Sequence, residues 1–345
     1  MLNISLYHLM CNLMPIRSPL IQSSFRTSHF SLFSSNFYKV TSTIFSSHTH
    51  GIYDISSCSF KHILNSAVKV TGIYIFQDKN LSKLFLSEAI GYCFEYTKLQ
   101  VTQCRFQKCV SNSSGGGFCC QFCLLDINDT YFDHNNAKYG GGSHCSSLYN
   151  VTCTRNVYFG NSAEYDGGCM FATDQEEKAT YFSHINLTDN MATMWTGGFR
   201  IDQCGGVLKN AFFANNHALV CGGFFDFSWY PSQRNVSKTI FFNNTAIGRT
   251  GAATAFHLYQ FMSFNLCMFI FNKCEKSANS ISIESVRTTV EIQNCMFSGS
   301  KEEELIMRYE GSQFVEKGMN FYSCTNDQLN ERYWELKKIH SPILN

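Results

Sequence analysis

The sequence predicts an all-β protein, a parallel β-helix in which short strands stack coil upon coil. Three observations carry that prediction. The phrase Phe-x-x-Asn-x-Ala, followed a few residues later by Gly-Gly, recurs along the chain, most cleanly at Phe213, Asn216, Ala218, Gly222 and Gly223. Its lead residue falls at Phe132, Tyr158, Leu187, Phe213, Phe241, Phe269 and Phe297, in steps of 26, 29, 26, 28, 28 and 28 residues. A period in the high twenties with no helical spacing inside it is one turn of a solenoid. Composition agrees, because charged residues make up 15% of the chain while Phe contributes 32 residues and Pro only 4. A typical domain carries about 25% charged residues, so this one has apolar side chains enough to fill a long core.

In chain order, residues 1–50 are Ser-, Phe- and His-rich with Pro15 and Pro19, and carry only a faint repeat at Phe45, which predicts an irregular N-terminal cap with at most a first partial coil. The coils are expected over 51–325. The pattern starts at Cys58-Ser59-Phe60 and blurs over 61–100, where Val68-Lys69-Val70 and Ile73-Tyr74-Ile75 still alternate as strands do. It is clear from Phe106 to Phe297, and Phe321-Tyr322-Ser323-Cys324 reads as the last coil. Residues 326–345 change character. Leu329, Tyr333, Trp334 and Leu336 among charged neighbours predict a short amphipathic helix capping the open end, where unpaired backbone would otherwise recruit another chain.

Each recurring residue class has a physical role. The lead aromatics fill the interior. Asn135, Asn161, Asn190, Asn216, Asn244 and Asn272 follow three residues later, and a polar residue at a fixed position suits an inward ladder in which each amide bonds the next. Ala137, Ala163, Ala192, Ala218 and Ala246 keep that bend narrow. The pairs Gly141-Gly142, Gly167-Gly168, Gly197-Gly198 and Gly222-Gly223, with the variant Gly251-Ala252, supply positive φ or close backbone approach at the next corner.

Seventeen cysteines would ordinarily indicate an oxidising compartment. Cys58, Cys104, Cys267 and Cys295, however, each precede a Phe by two residues, which places both side chains on one face. They read as small buried groups in an interior stack. The bunched Cys119, Cys120 and Cys123 lack a His pair at zinc-finger spacing, so no metal or other cofactor is expected. Asn3, Asn80, Asn112, Asn128, Asn150, Asn186, Asn235 and Asn243 each open an Asn-x-Ser/Thr sequon and point toward secretion and N-glycosylation. Against this, residues 1–14 lack a basic n-region and are interrupted by Asn3, His8 and Asn12. A net charge of +1 gives no electrostatic case for nucleic acid, and no run of 18 apolar residues is present to span a membrane.

The repeat Phe213-Ala214-Asn215-Asn216 with Gly222-Gly223-Phe224 resembles those of the chlamydial polymorphic membrane proteins and of surface-protein families of trichomonad type, over about residues 104–300. The resemblance implies a right-handed β-helix at a cell surface, acting as an adhesin or antigenically variable passenger. The chain departs from the bacterial family in having nothing after Phe297 long enough to build a transmembrane barrel.

The functional expectation is therefore a non-enzymatic recognition or display surface for a host-cell or extracellular ligand, protein or glycan, at the cell surface or secreted. A polysaccharide lyase or hydrolase on the same fold is one alternative. An intracellular scaffold, or a non-exported piece of a longer surface protein, is another. After each glycine corner the inward positions read Phe118/Cys120, Cys169/Phe171, Phe199/Ile201 and Ala253/Ala255. The outward neighbours read Cys119, His144, Met170, Arg200, Phe225 and Thr254. Carbohydrate cleavage would need clustered carboxylates beside a cation, but alternation turns Asp202 outward with Arg200 and Asp226 inward. Asp166, Asp174 and Glu164 read as variable loop, and Arg200–Asp202 as a solvated ion pair of little worth. Trp229 and Tyr230, in a loop between strands, are the expected partner contact.

Overall fold

The computed structural model describes residues 2–7, 9–12, 21–23, 27–40, 44–47, 52–64, 66–71, 97–121, 123–148, 150–168, 170–174, 179–203, 205–228, 233–257 and 261–340. It is a β-solenoid. Among the described residues, strands stack in parallel into four sheets of twelve, eleven, eleven and six strands. One coil shows the plan: Gly205–Lys209 lies in the first sheet, Phe212–Ala214 in the second, His217–Ala218 in the fourth and Phe224–Ser228 in the third. Gln233–Ser237 then lands on Gly205–Lys209 and the circuit repeats. With ~4.8 Å between stacked strands, twelve of them make a rod about 55 Å long.

The lead aromatics form an interior stack. Phe37, Phe60, Phe106, Phe132 and Tyr158 lie ring on ring with centroids 5.3, 4.9, 5.0 and 4.5 Å apart. Leu187 interrupts the column. It resumes through Phe213, Phe241, Phe269, Phe297 and Tyr322 at 4.9, 5.0, 4.8 and 4.8 Å. The coil rise itself sets this near-parallel spacing, so each ring excludes water from its neighbours' faces.

The asparagine ladder forms as the repeat predicts. Asn216 Nδ2 donates to Asn244 Oδ1 at 2.8 Å and to the Leu187 carbonyl at 2.9 Å, while Asn190 donates to Asn216 Oδ1 from Nδ2 at 3.0 Å and from its backbone amide at 3.1 Å. The same set joins Asn135, Asn161, Asn190, Asn216, Asn244 and Asn272, all buried. Cys109 begins the ladder, its amide bonding Asn135 Oδ1 at 2.9 Å and its thiol the Phe60 carbonyl at 3.5 Å. A second column stands two residues before each lead aromatic. There Cys58, Cys104, Thr130, Asn156, Cys267, Cys295 and Asn320 each donate to a carbonyl one coil back. The cysteines thus do the work of Thr and Asn at a corner, and burial pushes the Cys104 and Cys267 thiols up. Cys58, Cys104, Cys109, Cys119, Cys145, Cys153, Cys221, Cys267, Cys295 and Cys324 are buried, and Cys274 is half-buried. The Cys120 and Cys123 sulfur atoms lie against each other, a proximity the sequence did not indicate.

Three expectations change. Residues 1–50 were expected to be irregular, yet Leu2–Tyr7 pairs with Thr27–Phe33 and that strand with Ile52–Ser56, so coiling reaches the described N-terminal residues. The blurred stretch 61–100 is a single coil lengthened by an insertion. Thr97–Thr102 stacks directly on Ile52–Ser56, and residues 72–96, including Ile73-Tyr74-Ile75, lie outside the described residues. The helix Asn326–His340 does not cap the end of the rod. It lies along the outer face of the second sheet, where Leu329 and Leu336 pack with Ile240, Met268 and Ile270, and Tyr333 meets Phe212 and Phe242. Those second-sheet strands are apolar on both faces because both are covered.

The glycine corners are set mainly by close approach. A Cβ on Gly222 would lie 2.5 Å from the Gly251 carbonyl oxygen and 2.7 Å from the Thr245 backbone. Comparable approach holds at Gly141, Gly168, Gly197, Gly198 and Gly223. Gly167 differs, with φ of +61°. A register shift between Ala137 and Tyr139 moves the next coil by one residue. Gly168, not Gly167, stacks under Gly197. Consequently Met170 pairs with Phe199 and Phe171 with Arg200, one residue off the register expected from the Gly167-Gly168 corner. Cys169 lies outside the described residues.

Candidate recognition face

The outward residues of the third sheet bury one another. Cys119, His144, Phe225, Ser282 and Glu284 face away from the interior yet none exceeds 7% exposure. Corner residues from the edge of the fourth sheet lean over them: Tyr139 meets His144 at 6.4 Å and Trp195 meets Phe225 edge-on at 6.1 Å. Burial drives the His144 imidazole down to about 4 and the Cys119 thiol up to about 11.

Arg200 holds the centre of this exterior layer. Its Nε and Nη2 bond Asp202 at 2.7 and 3.0 Å, and its Nη1 bonds Asp166. The guanidinium carbon lies 5.2 to 5.6 Å from the ring centroids of Phe225, Trp195 and Phe227. A planar cation suits such a site, since its edge serves two carboxylates while its face rests on rings. The expected solvated Arg200–Asp202 pair is therefore a buried cluster, with side-chain exposures of 14% and 12%. Asp166, expected in loop material, ends the strand Ser162–Asp166 and is 3% exposed. Burial raises Asp166 to about 7 even though Arg200 opposes the shift, and raises Asp202 as well. Burial also works against the Arg200 charge, but the two carboxylates outweigh it and hold its pKa up.

The cluster continues along the rod. Arg249 lies 5.7 Å from the Trp195 ring centroid, and Arg249 and Arg308 reach Glu284 at 3.9 and 3.1 Å. Exposure rises along this run, from 14% at Arg200 to 27% at Arg249 and 39% at Arg308. The Arg249–Arg308 end is where a ligand can reach guanidinium groups. Asp226 faces inward as alternation predicts, and its carboxylate meets Arg234 Nε at 3.1 Å with both side chains fully buried. Asp202 and Asp226 thus serve different cations on opposite faces of one sheet. Among the described residues no cluster of three His, Cys, Asp or Glu side chains is arranged to hold a metal ion.

The sequons divide by environment. Asn112, Asn235 and Asn243 are exposed. Asn128 is half-buried and bonds Asp126 at 2.6 Å, and Asn186 is 7% exposed and accepts from Thr188 at 2.5 Å. Asn150 opens the strand Asn150–Thr154, and the other two sequon asparagines are Asn3, in the strand Leu2–Tyr7, and Asn80, outside the described residues. Trp229 and Tyr230 also lie outside the described residues. The Asp166 and Trp195 contributions were not legible in the sequence, because both follow the ladder at a corner that absorbs one residue more or fewer from coil to coil. No protein-family model, curated protein or solved structure matches this chain.

Proposed function

We propose that the chain is a non-enzymatic recognition or display protein whose ligand, a protein or glycan outside the cell, meets the outer third-sheet face at its Arg249–Arg308 end. The observation that carries this reading is the gradient of exposure along one connected run of Arg200, Trp195, Arg249, Glu284 and Arg308. Its buried end fixes the geometry and its exposed end presents guanidinium groups beside an indole, residue types that concentrate binding energy at interfaces. The repeat resemblance supports a cell-surface location. Carbohydrate cleavage would draw on Asp166 and Asp202, but both are spent on Arg200, which favours recognition over general acid–base chemistry.

The test has two parts. Antibody staining of intact, unpermeabilised cells should detect the protein, and staining only after permeabilisation would refute surface display. Arrays of extracellular proteins and glycans probed with the purified chain should give hits that Arg249→Ala/Arg308→Ala weakens at least tenfold. Hits indifferent to that double substitution would remove this face as the binding site.

A further inference from the structure

Six of the fourteen exposed large apolar side chains among the described residues fall on one face of the rod. Leu64, Val110, Tyr139, Met191, Met194 and Leu219 are 37 to 50% exposed and all belong to the fourth sheet or its bordering bridges and turns. The sheet is a narrow ribbon in register apart from the shift between Ala137 and Tyr139. Asn136, Ser162, Met191, His217, Thr245 and Lys273 form one outward row. Lys138, Glu164, Thr193, Leu219, Ile247 and Glu275 stand two residues further along the chain in the same coils, a second row by sequence position just beyond the paired residues. The midpoint of the six strands falls between the coils of Met191 and His217. Met191, Met194 and Leu219 therefore form an apolar centre, and exposed Lys138 and Glu275 occupy the two ends of the second row.

We propose that this face is a self-association surface on which a second copy of the chain packs antiparallel, about a twofold axis parallel to the strands through that midpoint. Such an axis maps each coil onto the one equally far beyond the centre and keeps each row facing itself. Lys138 then meets Glu275 of the second copy at both ends of the contact, Asn136 meets Lys273, and the Met191 and Leu219 coils interleave at the middle. The surface is self-complementary, which a closed twofold dimer requires. Its size bounds the affinity. Six coils at ~4.8 Å by a face near 13 Å wide give roughly 370 Å² per partner, small for specific association. A reversible dimer in the micromolar range is the expected result.

Sedimentation velocity from about 1 to 200 μM on the full chain tests the proposal. The wild type should shift from monomer to dimer over that range. Met191→Lys/Leu219→Lys should hold it monomeric with an unchanged circular dichroism spectrum and melting temperature. Lys138→Glu and Glu275→Lys should each weaken dimerisation about tenfold, and the two combined should restore it, because the pair exchanges charges across the axis. A wild type that stays monomeric throughout would overturn the proposal, leaving the face to some other partner. So would a dimer indifferent to the apolar double substitution. Failure of the charge exchange to rescue would exclude the antiparallel arrangement.

Discussion

The buried Arg234–Asp226 pair offers the sharpest test of how the interior is organised. Arg234 stands in the first sheet at a position filled by Met262 and Val290 in the following coils. Its guanidinium reaches across the core to Asp226 of the third sheet at 3.1 Å and to Thr180 Oγ1 at 2.8 Å, and both charged side chains have no exposure. Gly206 makes room for it. Arg234 stacks on that residue, whose φ of +130° and whose missing Cβ, 2.0 Å from the Thr180 carbonyl oxygen, admit only glycine. At 3.1 Å and an effective dielectric constant of about 20, the attraction is about 5 kcal/mol. Removing one partner strands the other charge, at a cost of about 3–5 kcal/mol. Arg234→Met and Asp226→Leu should each lower the urea midpoint accordingly. The double variant should recover most of the loss, since an apolar pair of similar volume replaces two desolvated charges while Thr180 keeps its bond to the Gly205 carbonyl at 2.9 Å. Because solenoid coils can open separately, amide hydrogen exchange at Val236 should accompany the urea curve. An Arg234→Met cost below about 1 kcal/mol, or a double variant as unstable as the sum of the singles, would refute the claim that the charges are held for each other.

Further outcomes follow from the same geometry. Asn216→Ala removes the amide that bonds Asn190, Asn244 and Leu187 and leaves buried backbone and side-chain groups unpaired, so it should cost about 3–5 kcal/mol in chemical denaturation. Gly222→Val drives a branched side chain into the Gly251 carbonyl oxygen 2.5 Å from the first added carbon and should abolish soluble expression, whereas Gly311→Ala, whose Cβ would meet only Arg287 at an ordinary 3.6 Å, should cost no more than the about 1–2 kcal/mol that its φ of +77° imposes. The Asp166 carboxyl, raised to about 7, binds its proton more tightly folded than unfolded, so its stabilising effect is full below the unfolded value near 4 and is lost as pH rises through 7. Melting temperature should therefore climb between pH 7.5 and 5.5 by more in the wild type than in Asp166→Asn, and parallel profiles would contradict it. Deleting residues 326–345 should leave the parallel coils intact by circular dichroism but expose Ile240, Met268 and Ile270, with increased dye binding and aggregation.

How much of this was legible follows from which residues repeat. Interior positions see the same neighbours in every coil, so Phe213, Asn216 and Gly222 recur, and the fold and ladder could be read from period alone. The second column was harder to read because Cys, Thr and Asn share only a donor and a small volume; their equivalence shows once each is found bonding the carbonyl one coil back. The helix docking site did leave a trace. Ile240-Phe241-Phe242 and Met268-Phe269-Ile270 are continuous apolar runs where alternation should have placed polar residues, the mark of a strand covered on both faces. Asp202 could be read beside Arg200 from spacing, but no trace was left by the other carboxylate partner of Arg200. Asp166 reaches it across a corner whose length varies, and no spacing rule survives a one-residue shift.

The same division bears on where binding can evolve. Along the solenoid an outward side chain usually has only solvent to satisfy, but Arg200, Asp202 and Phe225 have become a second, exterior core, and a substitution there is answered by ring and carboxylate neighbours on adjacent coils. Variation should then concentrate where exposure returns, at Arg249 and Arg308 on the third sheet and at Met191, Met194 and Leu219 on the fourth. Recognition and self-association would occupy neighbouring faces of one rod without sharing a residue. Loss of ligand binding in Arg249→Ala/Arg308→Ala should therefore leave the sedimentation profile untouched, and Met191→Lys/Leu219→Lys should leave monovalent ligand affinity unchanged while lowering apparent affinity for a ligand-dense surface, where paired rods gain from two simultaneous contacts.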